Sequence, residues 1–379
     1  MKVLVLGAGR MGYGVTFDLL RSPDIEVTLA DVDARRLDLI RDKLDASGRL
    51  TTVCMDISNK AEVLRLMRER TVAVGCVSYE YNLMLTEVAI EAGVSFCDLG
   101  GNNTVVDAQF SLDEQAQAAG VTIIPDCGLA PGMVCVLVAD ATKAFDELDS
   151  IKIRVGGLPV NPKPPLDYQI VFSVEGLINE YVEPVRAIRN GQLVELEPMT
   201  ELEELEFEAI GRLEAFNTSG GLSTLVKTFG SKVREMDYKT IRYPGHCQKF
   251  KLLIDLGLAS AHVLDLGSVK VAPRKVLARC LLDRLPKDEP DIVLIRLTVM
   301  GNKDGQRRCL TYELVDRYDE QSGLSAMMRT TAFPASIIAQ MMARGKVCKG
   351  VVPQELAIPS GEFVAELEKR GLVITKLWR

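Results

Sequence analysis

The sequence is short of histidine, of clustered positive charge and of long apolar runs, and each shortage narrows the function. Only two histidines occur in 379 residues, and nine cysteines lie scattered at 54, 76, 97, 127, 135, 247, 280, 309 and 348 with no CxxC pair. That distribution suits neither a zinc site nor a disulfide framework, so reduced thiols, a cytoplasmic setting and no bound metal are expected. No basic run exceeds two residues and the formal net charge is -7. The positive field that nucleic acid or an anionic membrane requires is therefore missing. No uninterrupted apolar segment has membrane-spanning length. The opening MKVLVLGAGR meets glycine after one short apolar run, so it reads as a strand rather than the h-region of a signal peptide. Low-complexity tracts and internal repeats are also absent.

What remains is a globular balance, with 47% apolar and 26% charged residues in a chain long enough for two cores. Through about residue 125, apolar runs alternate with helical patterns. The order is KVLVL, a helix from Arg10, EVTLAD, a helix from Asp33, TTVCMD, a helix from Asn59, TVAVGCV, a helix near Tyr81, VSFCDL, a helix through Gln115 and VTIIP. Six near-continuous apolar strands with five crossovers predict an α/β fold: a Rossmann-type, doubly wound parallel sheet covered by helices on both faces. Ligands of such a sheet bind at the strands' carboxyl ends.

After Asp126 the rhythm changes. A glycine-proline turn, CGLAPGM, leads into an apolar helix to about Phe145, and the later strand candidates SIKIRVGGL, YKTIRY, DIVLIRLTVMG and CLTYELVDRY are separated by polar turns. They predict a second, α+β domain with a mixed, largely antiparallel sheet. The expected division is a dinucleotide-binding domain over 1–126, a substrate-binding and oligomerising domain over 127–345 and a C-terminal segment over 346–379. The helical stretches 324–344 and 360–371 are free to pack back onto the first domain. The acidic run Glu201 to Glu208 reads as a solvated face.

The first chemical signal is Gly7-Ala8-Gly9-Arg10-Met11-Gly12, directly after a strand and opening a helix. Gly7 permits a tight turn, Gly9 lets backbone approach a pyrophosphate, and Gly12 allows close helix–strand packing, while the helix N-terminus offers N–H groups and a positive dipole. The second strand ends in Asp31, where a carboxylate accepts from ribose hydroxyls and repels a 2'-phosphate, favouring NAD over NADP. Arg35 and Arg36, just beyond it, are the residues that complicate this choice. Further cofactor candidates line the later strand ends: Asp56 and Ile57, Val77 and Ser78, and Leu99 in the DLGG turn that begins with Asp98.

The combination of GAGRMG, LADVD, DLGG, IIPDCGLAPGM, VGGLPVNPKPPL, FNTSGG and YKTIRYPGH resembles the saccharopine dehydrogenase superfamily across nearly the whole chain, and within it the lysine 6-dehydrogenase branch. The resemblance implies NAD-dependent oxidation of the lysine side-chain amine to 2-aminoadipate 6-semialdehyde, which cyclises to piperideine-6-carboxylate. One departure supports that branch: saccharopine reductases carry an acidic residue in the turn that here reads Gly128-Leu129-Ala130-Pro131-Gly132, and Ala130 replaces it. A saccharopine-like or carboxypolyamine substrate of the same superfamily is the alternative enzyme reading, and a redox-silent NAD-binding regulator the non-enzymatic one. A homo-oligomer is expected.

Given an amino-acid substrate, Arg242 is the planar fork for its carboxylate. Thr240 shares a strand face with Arg242, whereas Lys239 points the other way. Asn217, Thr218 and Ser219 form a polar turn suited to hydrogen-bonding the substrate. Hydride leaves the carbon only after the ammonium gives up a proton, so a base is needed. Asp98, Asp126, Glu80 and His246 are candidates, as is Glu175, whose apolar flanks suggest burial; Asp126 or Glu175 could instead hold the α-ammonium.

Overall fold

The computed structural model describes residues 1–44 and 48–379. The chain divides into two compact units, one made of Met1–Lys143 with Met328–Val373, the other of Ala144–Met327 with Ile374–Arg379.

In the first unit the alternating apolar runs become β1 (Lys2–Leu6), β2 (Glu26–Asp31), β3 (Leu50–Cys54), β4 (Val72–Gly75), β5 (Ser95–Asp98) and β6 (Thr122–Ile124), all parallel and ordered β3–β2–β1–β4–β5–β6. This is the doubly wound α/β sheet expected from the sequence. The chain reverses its direction of strand addition between β1 and β4, so the crevice that receives ligands opens beside the end of β1. Leu4, Leu6, Ala73, Phe96 and Ile123 from the strands pack with Val63 and Leu85 from the helices, which is why these strands carry no polar alternation.

Two segments beyond residue 126 belong to this unit. The helix Met133–Thr142, placed by the sequence in the second domain, lies in the first, where it is buried along nearly its whole length. The stretch 328–373 returns to the same unit: its strand Gly350–Val351 extends the sheet beyond β6, and Arg370 closes on Asp18 at 2.8 Å. The 346–379 segment is accordingly split, because Thr375–Trp378 joins the sheet of the second unit.

The second unit holds a nine-stranded mixed sheet built on β7 (Glu147–Pro159), β8 (Val185–Arg189), β9 (Gln192–Leu196), β10 (Glu203–Phe207), β11 (Gly211–Asn217) and β12 (Glu235–Arg242). After a separate hairpin, β13 (Leu264–Asp265) and β14 (Lys270–Val271), it is completed by β15 (Asp291–Lys303), β16 (Gln306–Arg317) and the C-terminal Thr375–Trp378. Only β12 and β7 run parallel; the other neighbours are antiparallel, as the polar turns predicted.

Strand β12 sorts its polar residues by face. Asp237 and Lys239 enter an ion network with Arg154 and Glu203: Arg154 Nη1 donates to Asp237 Oδ1 at 2.5 Å, and Lys239 Nζ reaches Glu203 Oε2 at 3.0 Å and the Glu201 carbonyl at 2.6 Å. The acidic run is thus not only a solvated face, since Glu203 also takes the Arg154 Nε and Nη2 hydrogens. Tyr238, Thr240 and Arg242 lie on the opposite face by strand alternation. Among the described residues, no helix is long and apolar enough to cross a membrane.

Candidate active site

In the first unit the glycine loop turns immediately after β1. Gly7 adopts φ +101, and a side chain at Gly12 would collide with the Gly7 carbonyl oxygen at 1.8 Å, so the loop and the helix Arg10–Leu20 meet at backbone distance. Gly9 caps that helix without any side-chain hydrogen bond, and a Cβ placed there meets nothing within 4 Å. Backbone N–H groups of the first turn therefore face open space, the cradle a pyrophosphate requires. Asp31 fixes the loop from the next strand: its Oδ2 accepts the Ala8 N–H at 2.6 Å and its Oδ1 the Asp33 N–H at 2.9 Å. Each oxygen keeps a lone pair for a ribose hydroxyl. Arg35 and Arg36 are exposed just beyond, their N–H groups on Asp33 Oδ1.

At the other strand ends, Asp56 is exposed and accepts the Ser58 N–H at 2.9 Å, which holds its carboxyl below the ordinary value, while Ile57, Val77 and Leu99 are half-buried and Ser78 is exposed. Asp98 is fully buried, and its oxygens take four donors: Asn82 Nδ2 at 2.9 Å, Gly100 N–H at 2.7 Å, Asp126 N–H at 3.4 Å and Gln109 Nε2 at 2.7 Å. Burial pushes its carboxyl up, yet this hydrogen-bonding makes Asp98 the fastener of the β5 turn rather than an accessible base. Asp126 is buried in the left-handed region at φ 63, its carbonyl accepting Gln354 Nε2 at 2.6 Å. Glu80 is exposed. Burial among Asp98 and Asp126 pushes the Cys127 thiol up, which leaves it protonated and non-nucleophilic.

The second unit concentrates its polar groups around Arg242. The side chain is buried at 3% exposure, with Nε donating to the Tyr181 hydroxyl at 2.9 Å and Nη1 to the Ile241 carbonyl at 2.9 Å. Its guanidinium carbon lies 4.8 Å from the centre of the Tyr168 ring. Nη2 makes no hydrogen bond among the described residues, so one edge of the fork remains for a ligand. His246 opens the helix His246–Asp255 and is fully buried against Phe216, Phe250 and Tyr168. Desolvation and the Arg242 charge lower its pKa to about 3, so the imidazole is neutral. A neutral ring held this low is a poor base for an ammonium ion.

The sequence missed Glu180. It lies on the helix Val174–Val182, half-buried, and its carboxylate makes no hydrogen bond or ion pair among the described residues. Burial pushes it up to about 7, against the downward pull of Arg242 and with an upward push from Glu183. Glu175, chosen for its apolar flanks, is instead exposed on the first turn of that helix and paired with Arg274 at 2.7 Å, because Val174, Leu177, Ile178 and Tyr181 take the inward stripe. The burial expected of Glu175 falls on Glu180. Thr240 bonds Thr218 at 2.6 Å on the Arg242 face. Asn217 pairs directly with Lys239 across the sheet and so lies on the opposite face, its Nδ2 on Thr200 at 3.2 Å. Ser219 is buried, its N–H on the Glu180 carbonyl at 2.9 Å.

Residues 3–124 match the saccharopine dehydrogenase NADP binding domain and residues 128–372 the saccharopine dehydrogenase C-terminal domain. The chain belongs to the saccharopine dehydrogenase family. Apo saccharopine dehydrogenase (L-Glu forming) from Saccharomyces cerevisiae superimposes with a TM-score of 0.80 at 18% identity, over 100% of this chain and 99% of that one, which shows a shared fold. Carboxynorspermidine synthase of Vibrio cholerae is 24% identical over 98% of this chain and 96% of its own length. Mitochondrial alpha-aminoadipic semialdehyde synthase of Mus musculus is 24% identical over 71% of this chain, which spans only 26% of that longer relative.

The family membership and the loop geometry agree on NAD(P) as cofactor, the loop Gly7, Ala8, Gly9, Arg10, Met11 and Gly12 being open at Gly9, as a dinucleotide needs. Asp31→Ala should raise the Kd of NAD more than that of NADP, moving the ratio by about tenfold, or about 1.4 kcal/mol. Loosening Ala8 affects both nucleotides alike and cancels in that ratio. Fluorescence titration of the two dinucleotides reads it, and an unchanged ratio removes Asp31 from ribose recognition.

Proposed function

We propose that this family member oxidises a carbon–nitrogen bond of an amino-acid substrate with NAD as preferred acceptor, and that the substrate is L-lysine, reacting at its side-chain amine. The observation that carries the reading is the pairing of opposite functions around β12: an unspent guanidinium edge on Arg242, and near it the unbonded Glu180 carboxylate poised near neutrality. Arg242 receives the substrate carboxylate through parallel N–H bonds. Thr240 and Thr218 offer hydroxyls on the same face. Glu180 accepts the ammonium proton, a role for which a pKa near 7 is better matched than that of an ordinary carboxylate. NAD, when bound, would supply the hydride acceptor.

A second reading, a carboxylated polyamine substrate, is supported by the match to carboxynorspermidine synthase over 98% of this chain. Such a molecule presents the same carboxylate and amine, so Arg242 and Glu180 keep their roles. The test is appearance of reduced nicotinamide with L-lysine, saccharopine and carboxylated polyamines offered in turn. Turnover with lysine alone supports the first reading, turnover with the polyamine alone replaces it with the second, and turnover with neither overturns both.

A further inference from the structure

His246 is linked to Arg242 by hydrogen bonds through Tyr181, and each hydrogen bond in that chain has a forced direction. The Leu166 carbonyl can only accept, so His246 Nδ1, 2.8 Å away, carries the ring proton. A neutral imidazole holds one proton, which makes Nε2 an acceptor. Tyr181, 3.1 Å from Nε2, must donate to it, and its oxygen then presents a lone pair to Arg242 Nε at 2.9 Å, which has no accepting capacity. Stacking fixes the ring further: Phe216 lies 6.3 Å away at 8° and Phe250 5.8 Å away at 25°. A second ring proton would break the sequence, and burial, the Arg242 charge and the helix N-terminus all oppose it.

From this geometry we infer that His246 is a positioning residue: it locks the Tyr181 hydroxyl as the acceptor for Arg242 Nε, and so sets the plane in which the guanidinium receives a substrate carboxylate. This rests on the proposed role of Arg242 and assigns His246 no proton transfer. Without the lock, the hydroxyl is free to turn its proton toward Arg242, the Nε bond is lost, and the fork swings. The loss falls on carboxylate binding.

The test has one arm that needs no turnover. In nitrogen NMR of the full chain, His246 should show the Nδ1–H tautomer, with exposed His262 as internal reference, and Arg242 Nε–H should give a protected signal, identified by its absence in Arg242→Lys. Tyr181→Phe and His246→Phe should each abolish that protection, whereas His246→Gln, which keeps an acceptor toward Tyr181, should restore most of it. Protection that survives in both phenylalanine variants overturns the proposal, whatever the substrate is. In the second arm, Tyr181→Phe and His246→Phe should each raise the KM for L-lysine by about tenfold to a hundredfold, the loss of one charge-assisted hydrogen bond. kcat and the KM for NAD should stay within a few-fold, and the double variant should be no worse than either single one. A fall in kcat with KM unchanged overturns the positioning role in favour of acid–base work. If neither protein nor variants oxidise any amine, the first arm still decides the hydrogen-bond lock while the functional reading alone fails.

Discussion

Glu180→Gln should lower kcat by about a hundredfold to ten-thousandfold, the contribution of a positioned proton acceptor, with the KM for NAD unchanged. In the wild type, kcat/KM should rise with pH through about 7, because Glu180 acts only when ionised and burial holds its carboxyl there. The variant should lose that limb. Stability supplies an independent check with a fixed sign. A carboxyl whose pKa is raised on folding binds more protons in the native state than in the unfolded chain, so stability falls as pH climbs from the ordinary glutamate range to about 7. Glu180→Gln removes the penalty and should raise Tm above neutrality while changing little in acid. Glu175→Gln is the control: it breaks an exposed pair with Arg274 and should leave rate and profile near wild type. If Glu175→Gln carries the loss instead, Glu180 is not the base.

Arg242→Ala should raise the KM for L-lysine by about thirtyfold or more, the scale on which truncating one partner of a buried, hydrogen-bonded charge contact is felt. Arg242→Lys retains the charge, but a single ammonium cannot reproduce a fork that bonds Tyr181 through Nε while offering its outer edge. It should recover only part of the loss. Cadaverine, which has the amine without the carboxylate, sharpens the test: wild type should disfavour it, and Arg242→Ala should shrink the discrimination. The same substitution should move the acidic limb upward, because Arg242 is the group that pulls the Glu180 carboxyl down. Lys239→Ala should spare substrate binding, since Lys239 is held in the Glu201 and Glu203 network on the other face of β12. An Arg242→Ala enzyme that binds lysine like wild type would make this cluster structural.

Much of this was legible in the chain because it depends on short-range periodicity. The continuous apolar strands, GAGRMG between a strand and a helix, and Asp31 at the end of β2 are patterns within some thirty residues, and they led directly to the parallel sheet and the nucleotide loop. Strand alternation alone separates Arg242 and Thr240 from Lys239, since a side-chain period of two is a property of the extended backbone itself. The domain border was less legible: the turn after β6 changes the sequence rhythm, but the helix Met133–Thr142 that follows is apolar all round and joins the first unit.

Desolvation was not legible, because it depends on residues distant in the chain. Glu175 and Glu180 lie on one helix, about 140° apart at about 100° per residue, and only packing of the stripe Val174, Leu177, Ile178 and Tyr181 turns Glu175 to solvent while Glu180 is half-buried. The face that Asn217 presents was not legible either, because it is set by pairing with Lys239, a long-range register. The burial of His246 was equally hidden, because Phe216, Tyr168 and Tyr181 close around it from other segments. The sequence by itself determined which backbone segments form strands and loops and which side chains share a strand face, since those follow from local geometry. Only the tertiary structure decided which acid is raised toward neutrality and which imidazole is kept uncharged, because a protonation state answers to the water and charges removed or brought near by segments remote in the chain.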